Sequence, residues 1–320
     1  MALGEFAFIA ERLRPLAAGT RGALALRDDA ALLDPPAEAE LVLTKDAMVA
    51  GAHFLPEDPP GDVARKLLRV NLSDLAAMGA APLGYLLALV RPRETSDAWL
   101  ADFCRGLADD QAEFGIGLLG GDTVATLGPL TLSLTAIGQL PKGKALLRSG
   151  ARPGDDVWVS GTLGDAALGL KVLRGELDVP EEARAYLTQR YRLPEPRLAL
   201  GQALRGVAHA AIDVSDGLVA DLGHILETSG VGAELRAAAL PLSAAASDLP
   251  GAREAALAGG DDYELLFTAP PKRRAAIAAL ATQRDLPLTR IGEIHAGSGT
   301  RVLDESQREI RLSKGGWQHF

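Results

Sequence analysis

Asp62-Val63-Ala64-Arg65-Lys66-Leu67-Leu68-Arg69-Val70-Asn71-Leu72-Ser73-Asp74-Leu75-Ala76-Ala77-Met78 reads as a helix, and beyond Gly79 the apolar run Gly84 to Val90 reads as a buried strand. Leu67, Asn71, Asp74 and Met78 follow one another at steps of four, three and four, so they share one helix face, and that face is otherwise apolar. A carboxylate on such a face needs a partner. Exposure of the stripe or a salt bridge to Arg69 or Lys66 would supply one, but neither basic residue stands three or four positions from Asp74. A bound cation would supply one as well.

Outward from this stretch, strands and helices alternate. Apolar runs at Leu41 to Thr44, Gly84 to Val90, Gly117 to Leu119 and Leu130 to Leu140 predict strands, with helices at Asp62 to Met78 and Ser96 to Phe114. From Pro141-Lys142-Gly143-Lys144 to Arg152-Pro153-Gly154-Asp155 the texture changes to a basic connector bearing Gly and Pro. A second unit opens with the strand Asp156 to Ser160. It continues with strands near Ala210 to Val214, Tyr263 to Thr268 and Leu288 to Ile294, and with helices after Leu163, Pro196, Leu218 and Pro271. The expected organisation is α/β throughout: one domain over 1–140, a connector over 141–155 and a second α/β domain over 156–320.

Composition narrows the function classes. At 320 residues and 48% hydrophobic, the chain is long enough for two cores. Acidic residues outnumber basic ones, 42 to 33, and no run of Lys or Arg tracks phosphates, so nucleic acid and anionic membrane are not expected partners. The lone cysteine, Cys104, rules out an intramolecular disulfide and reads as a buried helix residue. Glu5 and Glu11 stand where a secretory signal needs a basic start, and the longest uncharged apolar stretch, Ala76 to Val90, is broken by Gly79, Pro82 and Gly84. The expected compartment is the cytoplasm.

Chemistry concentrates in five short acidic motifs: Asp28-Asp29-Ala30-Ala31, Thr44-Lys45-Asp46, Asn71-Leu72-Ser73-Asp74, Gly120-Gly121-Asp122-Thr123 and Asp213-Val214-Ser215-Asp216-Gly217. Asp and Ser oxygens suit Mg²⁺, which binds through one or two carboxylates together with substrate phosphates. Taken alone, Asp28-Asp29 reads as a surface turn. Asp46 is expected at the carboxyl end of a strand, where α/β sheets bind ligands. Gly120-Gly121-Asp122 is expected as a loop, open to two readings, a tight turn or a cradle whose amides approach a phosphate. Asp213 to Gly217 joins a strand to a helix; Ser215 or Asp216 could cap that helix, but capping leaves Asp213 unexplained. Gly161-Thr162-Leu163-Gly164-Asp165 could take an anion at a helix start, although packing explains it better.

The chain has no Walker lysine motif, kinase catalytic loop, Gly-x-Ser-x-Gly elbow or His-Glu-x-x-His helix. Phosphoryl transfer can dispense with a general base when the acceptor is a phosphate monoester, whose second pKa of about 6 leaves an anionic oxygen at neutral pH.

Eight motifs in order resemble the thiamine-monophosphate kinase family: Asp28-Asp29-Ala30-Ala31-Leu32; Thr44-Lys45-Asp46 with Gly51-Ala52-His53-Phe54; Asn71 to Gly79; Gly120 to Thr123; Arg148-Ser149-Gly150-Ala151; Asp213 to Leu218; Gly259-Gly260-Asp261-Asp262-Tyr263-Glu264-Leu265; and Gly316-Trp317-Gln318-His319-Phe320. The resemblance implies the fold shared with aminoimidazole ribonucleotide synthetase, two α/β (α+β) domains whose amino-terminal sheets build a homodimer. It implies several Mg²⁺ ions on Asp29, Thr44, Asp46, Asp74, Asp122, Asp213 and Asp216. It places ATP, the co-substrate, on Gly121, Asp122, Arg148 and Ser215, and thiamine monophosphate on His53, Glu264 and Trp317. Read without it, His53 beside Phe54 is a packed or solvated side chain, and Trp317 is a staple for the tail.

The chain departs from the family pattern at Lys45, where Thr or Ser is common, at Arg27 in place of Gly, at Asp261 in place of Glu, and at Cys104, where an aromatic often lies near the adenine. The expected reaction is ATP-dependent phosphorylation of thiamine monophosphate to thiamine diphosphate by direct in-line transfer. The alternatives are amide activation by a relative on the same fold and a non-catalytic Mg²⁺ or nucleotide sensor.

Overall fold

The computed structural model describes residues 4–310 and Gly316. The chain divides into two compact units, residues 1–75 with 80–143, and residues 76–79 with 144–320. Among the described residues no helix is long and apolar enough to cross a membrane.

The first unit opens with helical turns α1 (Glu5–Phe8) and α2 (Arg14–Leu16), followed by β1 (Ala39–Val49), α3 (Pro60–Ala77), β2 (Ala81–Pro92), α4 (Asp97–Phe114), β3 (Gly117–Thr126) and β4 (Thr131–Pro141). Its four-stranded sheet runs in the order β1-β4-β2-β3, parallel only between β2 and β3. Leu87, Leu89, Leu132, Leu134 and Ala136 are buried on one face, as period-two alternation requires. On the other face Leu43 is 64% exposed, and Leu41, Leu86 and Val124 are exposed with it.

Helix α4 begins and ends where its sequence directs. The Ser96 hydroxyl accepts the Trp99 amide at 3.1 Å, and Gly115 takes the left-handed conformation at the carboxyl end. A Cβ at Gly106 would fall on the Gly61 carbonyl, so α4 approaches the start of α3 through backbone alone. The two helices are further tied by Asp110, wholly buried, which accepts Arg65 Nε at 2.7 Å and Arg69 Nε and Nη2 at 2.7 and 2.9 Å. Arg69 is therefore committed to Asp110 and also to Glu113 at 2.8 Å.

The second unit contains β5 (Asp156–Ser160), α5 (Asp165–Leu173), α6 (Glu181–Arg192), α7 (Leu198–Leu204), β6 (Ala210–Asp213), α8 (Leu218–Ser229), β7 (Gly232–Arg236), α9 (Ala252–Ala258), β8 (Leu265–Ala269), α10 (Arg274–Arg284), β9 (Leu288–His295) and β10 (Gly299–Leu303). Its six strands run in the order β10-β7-β9-β5-β8-β6, with β10 and β7 parallel and the other pairs antiparallel. One core packs Leu218, Leu222 and Ile225 of α8 with Val157, Ile212 and Ile291. Another packs Leu200 and Leu204 of α7 and Ile277 of α10 with Phe267.

Two expectations change. β1 runs on to Val49, so Asp46 lies inside the strand and not at its end. Gly120-Gly121-Asp122 is likewise strand, within β3, and not a loop. A Cβ at Gly121 would fall on the Leu87 carbonyl, so the glycine is needed for close pairing with β2.

Candidate active site

In the first unit the strand period turns Thr44 and Asp46 toward α3 while Leu43 and Lys45 face out. The Thr44 hydroxyl donates to Asp74 Oδ2 at 2.5 Å. The Asp46 amide donates to Asn71 Oδ1 at 3.2 Å, and Asn71, wholly buried, anchors its own Nδ2 on the Leu67 carbonyl at 2.9 Å. Ser133 on β4 donates to the Asp46 carbonyl at 3.0 Å. Two half-buried carboxylates thus share one corner. Burial first, and the Asp74 charge second, push the Asp46 carboxyl up to about 6.

Not every candidate joins them. Asp122 stands opposite Ala88 on β2, exposed and on the sheet face away from α3, and its side chain accepts the Thr123 amide at 2.8 Å. β3 lies three strand spacings from β1, roughly 14 Å of sheet. Asp29 sits exposed in a bend. His53, half-buried in the turn after β1, accepts the Val49 amide at Nδ1, 3.1 Å away. Cys104 is buried in α4, as read from sequence, and burial raises its thiol to about 12.

In the second unit Asp213 is buried at the end of β6, and Ser215 and Asp216 are half-buried in the following turn. Neither Ser215 nor Asp216 caps α8. The amides of Ser215, Asp216 and Gly217 all donate to Oδ2 of Asp221, at 3.0, 3.0 and 3.1 Å. Sequence reasoning missed Asp221. Its signal was its place four residues past Gly217, within the first turn of the helix, where a carboxylate meets the free amides. Burial pushes its carboxyl up to about 7, against the pull of those amides.

Arg148 is exposed, and its loop is clasped by Ser229, whose hydroxyl accepts the Gly150 and Ala151 amides at 3.1 and 3.2 Å. Glu264 is wholly enclosed. It accepts Ser160 Oγ at 2.5 Å, Arg190 Nη2 at 2.9 Å, and Arg197 Nε and Nη2 at 2.7 and 2.5 Å, and these partners hold its carboxyl below the usual range despite burial. At the Gly161 to Asp165 turn the acceptor at the helix start is the protein's own carboxyl: Asp262 accepts the Gly164 amide at 2.7 Å, and burial pushes its pKa well above the usual carboxylate range. Trp317 lies outside the described residues.

Among the described residues, no three His, Cys, Asp or Glu side chains group as a metal cage. The donor set of Thr44, Asp46 and Asp74 still fits Mg²⁺, which takes one or two carboxylates and completes its octahedron with water and substrate phosphate.

Two domain families match the chain: AIR synthase related protein, N-terminal domain, over residues 27–140, and AIR synthase related protein, C-terminal domain, over residues 152–305. The thiamine-monophosphate kinase of Caulobacter vibrioides is 46% identical over 98% of this chain and 90% of its own. The crystal structure of that of Stenotrophomonas maltophilia K279a is 48% identical, covers 94% of this chain and 97% of its own, and has a TM-score of 0.86. The chain belongs to the thiamine-monophosphate kinase family. It is accordingly a phosphotransferase, and its two mixed sheets are those of the AIR synthase related fold. A more distant family structure, AaThiL complexed with AMPPCP and TMP, is 32% identical, covers 100% of this chain and 99% of its own, and has a TM-score of 0.80.

In the folded protein Asp46 keeps its proton up to about pH 6, whereas the unfolded chain releases it near 3.8. The folded state binds more protons between those values, so its stability falls as pH rises through that window, and the loss is complete above it. Asp46→Asn removes this contribution. In chelator-treated buffer the melting temperature of the variant relative to the parent is expected to climb from about pH 4 to about pH 6 and then level off. A difference that stays flat with pH contradicts the packing described for Asp46.

Proposed function

We propose that this kinase transfers the γ-phosphoryl group of ATP directly to the phosphate of thiamine monophosphate, giving thiamine diphosphate and ADP. The observation that carries the reading is the Asp46 and Asp74 pair on the α3-facing side of β1, in a chain 46% identical to a thiamine-monophosphate kinase over nearly its whole length. The related complex with AMPPCP and TMP supports ATP and the monophosphate as the two substrates.

Thr44, Asp46 and Asp74 would hold one Mg²⁺; family membership suggests Asp29, Asp122, Asp213 and Asp216 as ligands of further ions, and Asp122, on the other face of the sheet, would not reach this one. Bound there, the metal neutralises the clustered phosphate charge. The chain's own residues do the positioning. Asn71 fixes the Asp46 backbone and Thr44 orients Asp74, so both carboxylates are set before substrate arrives. Gly121 and the Arg148 and Ser215 loops serve ATP. His53 and Trp317 take the thiamine side, where Glu264 acts at one remove by orienting Arg190 and Arg197. No side chain needs to take a proton, because the acceptor phosphate is already anionic at neutral pH.

Leu41, Leu43, Leu86 and Val124 leave apolar side chains open to solvent on the sheet face that also bears Lys45 and Asp122, and we infer that a second copy of the chain covers it. Leu43→Arg is expected to convert a dimer into a monomer in light scattering. A parent that is already monomeric, or a variant that stays dimeric, contradicts this face.

Incubation with ATP, Mg²⁺ and thiamine monophosphate is expected to yield thiamine diphosphate and ADP in equal amounts. Asp74→Asn is expected to lower kcat by at least about a hundredfold while leaving the circular dichroism spectrum unchanged. Near-parental turnover in a folded Asp74→Asn would remove the metal assignment.

A further inference from the structure

A run of three backbone amides at the start of a helix is a ready anion site, and in a phosphotransferase the expected occupant is a substrate phosphate. The amides of Ser215, Asp216 and Gly217 form such a run at the start of the twelve-residue helix α8, yet all three are already taken by one oxygen, Oδ2 of Asp221. Asp221 is 2% exposed and rooted in α8, one turn along. The other side of the loop is fixed just as fully. The Val214 carbonyl accepts the Tyr263 amide at 2.8 Å, and the Ser215 carbonyl accepts the Asp261 amide at 2.9 Å. Asp261 and Tyr263 both hold positive φ, 70° and 51°, a conformation non-glycine residues adopt only when surroundings enforce it.

We propose that Asp221 is a positioning residue, an internal acceptor whose carboxyl oxygen fills the amide run at the start of α8 so that the loop presents Asp213 and Asp216 to a cation and withholds its amides from phosphate. The inference rests on the reading of Asp213 and Asp216 as Mg²⁺ ligands. With the amides bonded inward, the loop meets ATP through metal and the Ser215 side chain, and offers it no backbone donor. Loss of Asp221 would reverse this polarity, leaving three free donors and the positive end of the helix where a carboxylate now sits.

Asp221→Asn keeps the shape of the side chain but removes its charge, and Asp221→Ala empties the position. In Asp221→Asn the Mg²⁺ concentration that half-saturates both turnover and the Mg²⁺-induced rise in melting temperature is expected to increase about tenfold or more, as for other residues that orient metal ligands. In Asp221→Ala, without Mg²⁺, inorganic phosphate in tenfold excess over its dissociation constant is expected to raise the melting temperature by roughly 2 °C or more beyond any change in the parent. A merely structural cap would lower the melting temperature of both variants without moving either response. Parental Mg²⁺ half-saturation in Asp221→Asn, or a folded Asp221→Ala with no added phosphate response, overturns the proposal. If Asp221→Ala does not fold, the Asp221→Asn arm decides. Asp216→Asn, measured in parallel, separates the two levels: a parental Mg²⁺ response there refutes the metal reading of the loop, whereas its loss beside a parental Asp221→Asn refutes only the role of Asp221.

Discussion

Two carboxylates held close enough to act on each other set the character of this molecule. Asp46 on β1 and Asp74 on α3 repel, and burial makes the repulsion costlier than in water. They stay together because each element is fixed elsewhere. β1 is paired along its whole length with β4, and Asn71 bonds the Asp46 amide from inside α3. α3 in turn is clamped to α4 by Asp110 with Arg65 and Arg69 and by the Gly61 and Gly106 backbone contact. Breaking that buried ion cluster from one side would leave an uncompensated charge, a loss of about 3–5 kcal/mol. Stability invested in the helix pair thus maintains an unfavourable pair at the sheet, which a divalent cation would relieve.

Several buried carboxylates of the second unit resemble Asp110 instead, in that protein groups satisfy them. Glu264 is surrounded by Arg190, Arg197 and Ser160, and Asp262 and Asp221 each sit at a helix start among backbone amides. Asp165 is wholly buried and accepts the Ser243 and Thr162 hydroxyls at 2.6 and 2.5 Å. These carboxylates have protein partners, so they organise loops and leave little capacity for a ligand. Counting acidic residues in a motif therefore does not separate ligands from scaffolding. An oxygen atom already held by several backbone amides or arginines marks scaffolding.

Much of this was legible in the sequence. The shared face of Leu67, Asn71 and Asp74 located the half-buried carboxylate, and Ser96 and Gly115 delimited α4. The length of β1 was not legible, because Lys45 and Asp46 interrupt the apolar run; only the alternation of Leu43 and Lys45 outward with Thr44, Asp46 and Met48 inward reveals a strand continuing past its charges. Helix α6 escaped notice because Glu181–Arg192 is mostly charged and polar, and β7 and β10 because five-residue strands of mixed character carry little periodic signal. Asp221 was passed over since Ser215 and Asp216 offered a nearer cap, and the choice among three neighbouring oxygens depends on backbone direction at Gly217, which holds φ at 120°.

The central claim is that Asp46 and Asp74 together form a cation site. Anomalous diffraction from crystals soaked with Mn²⁺ and a non-hydrolysable ATP analogue tests it most directly. The account predicts a strong peak bonded to at least one oxygen of each carboxylate, at about 2.0–2.2 Å as for small octahedral divalent ions. Mn²⁺ bound elsewhere with the nucleotide in place, and only water or a basic side chain between Asp46 and Asp74, would contradict it.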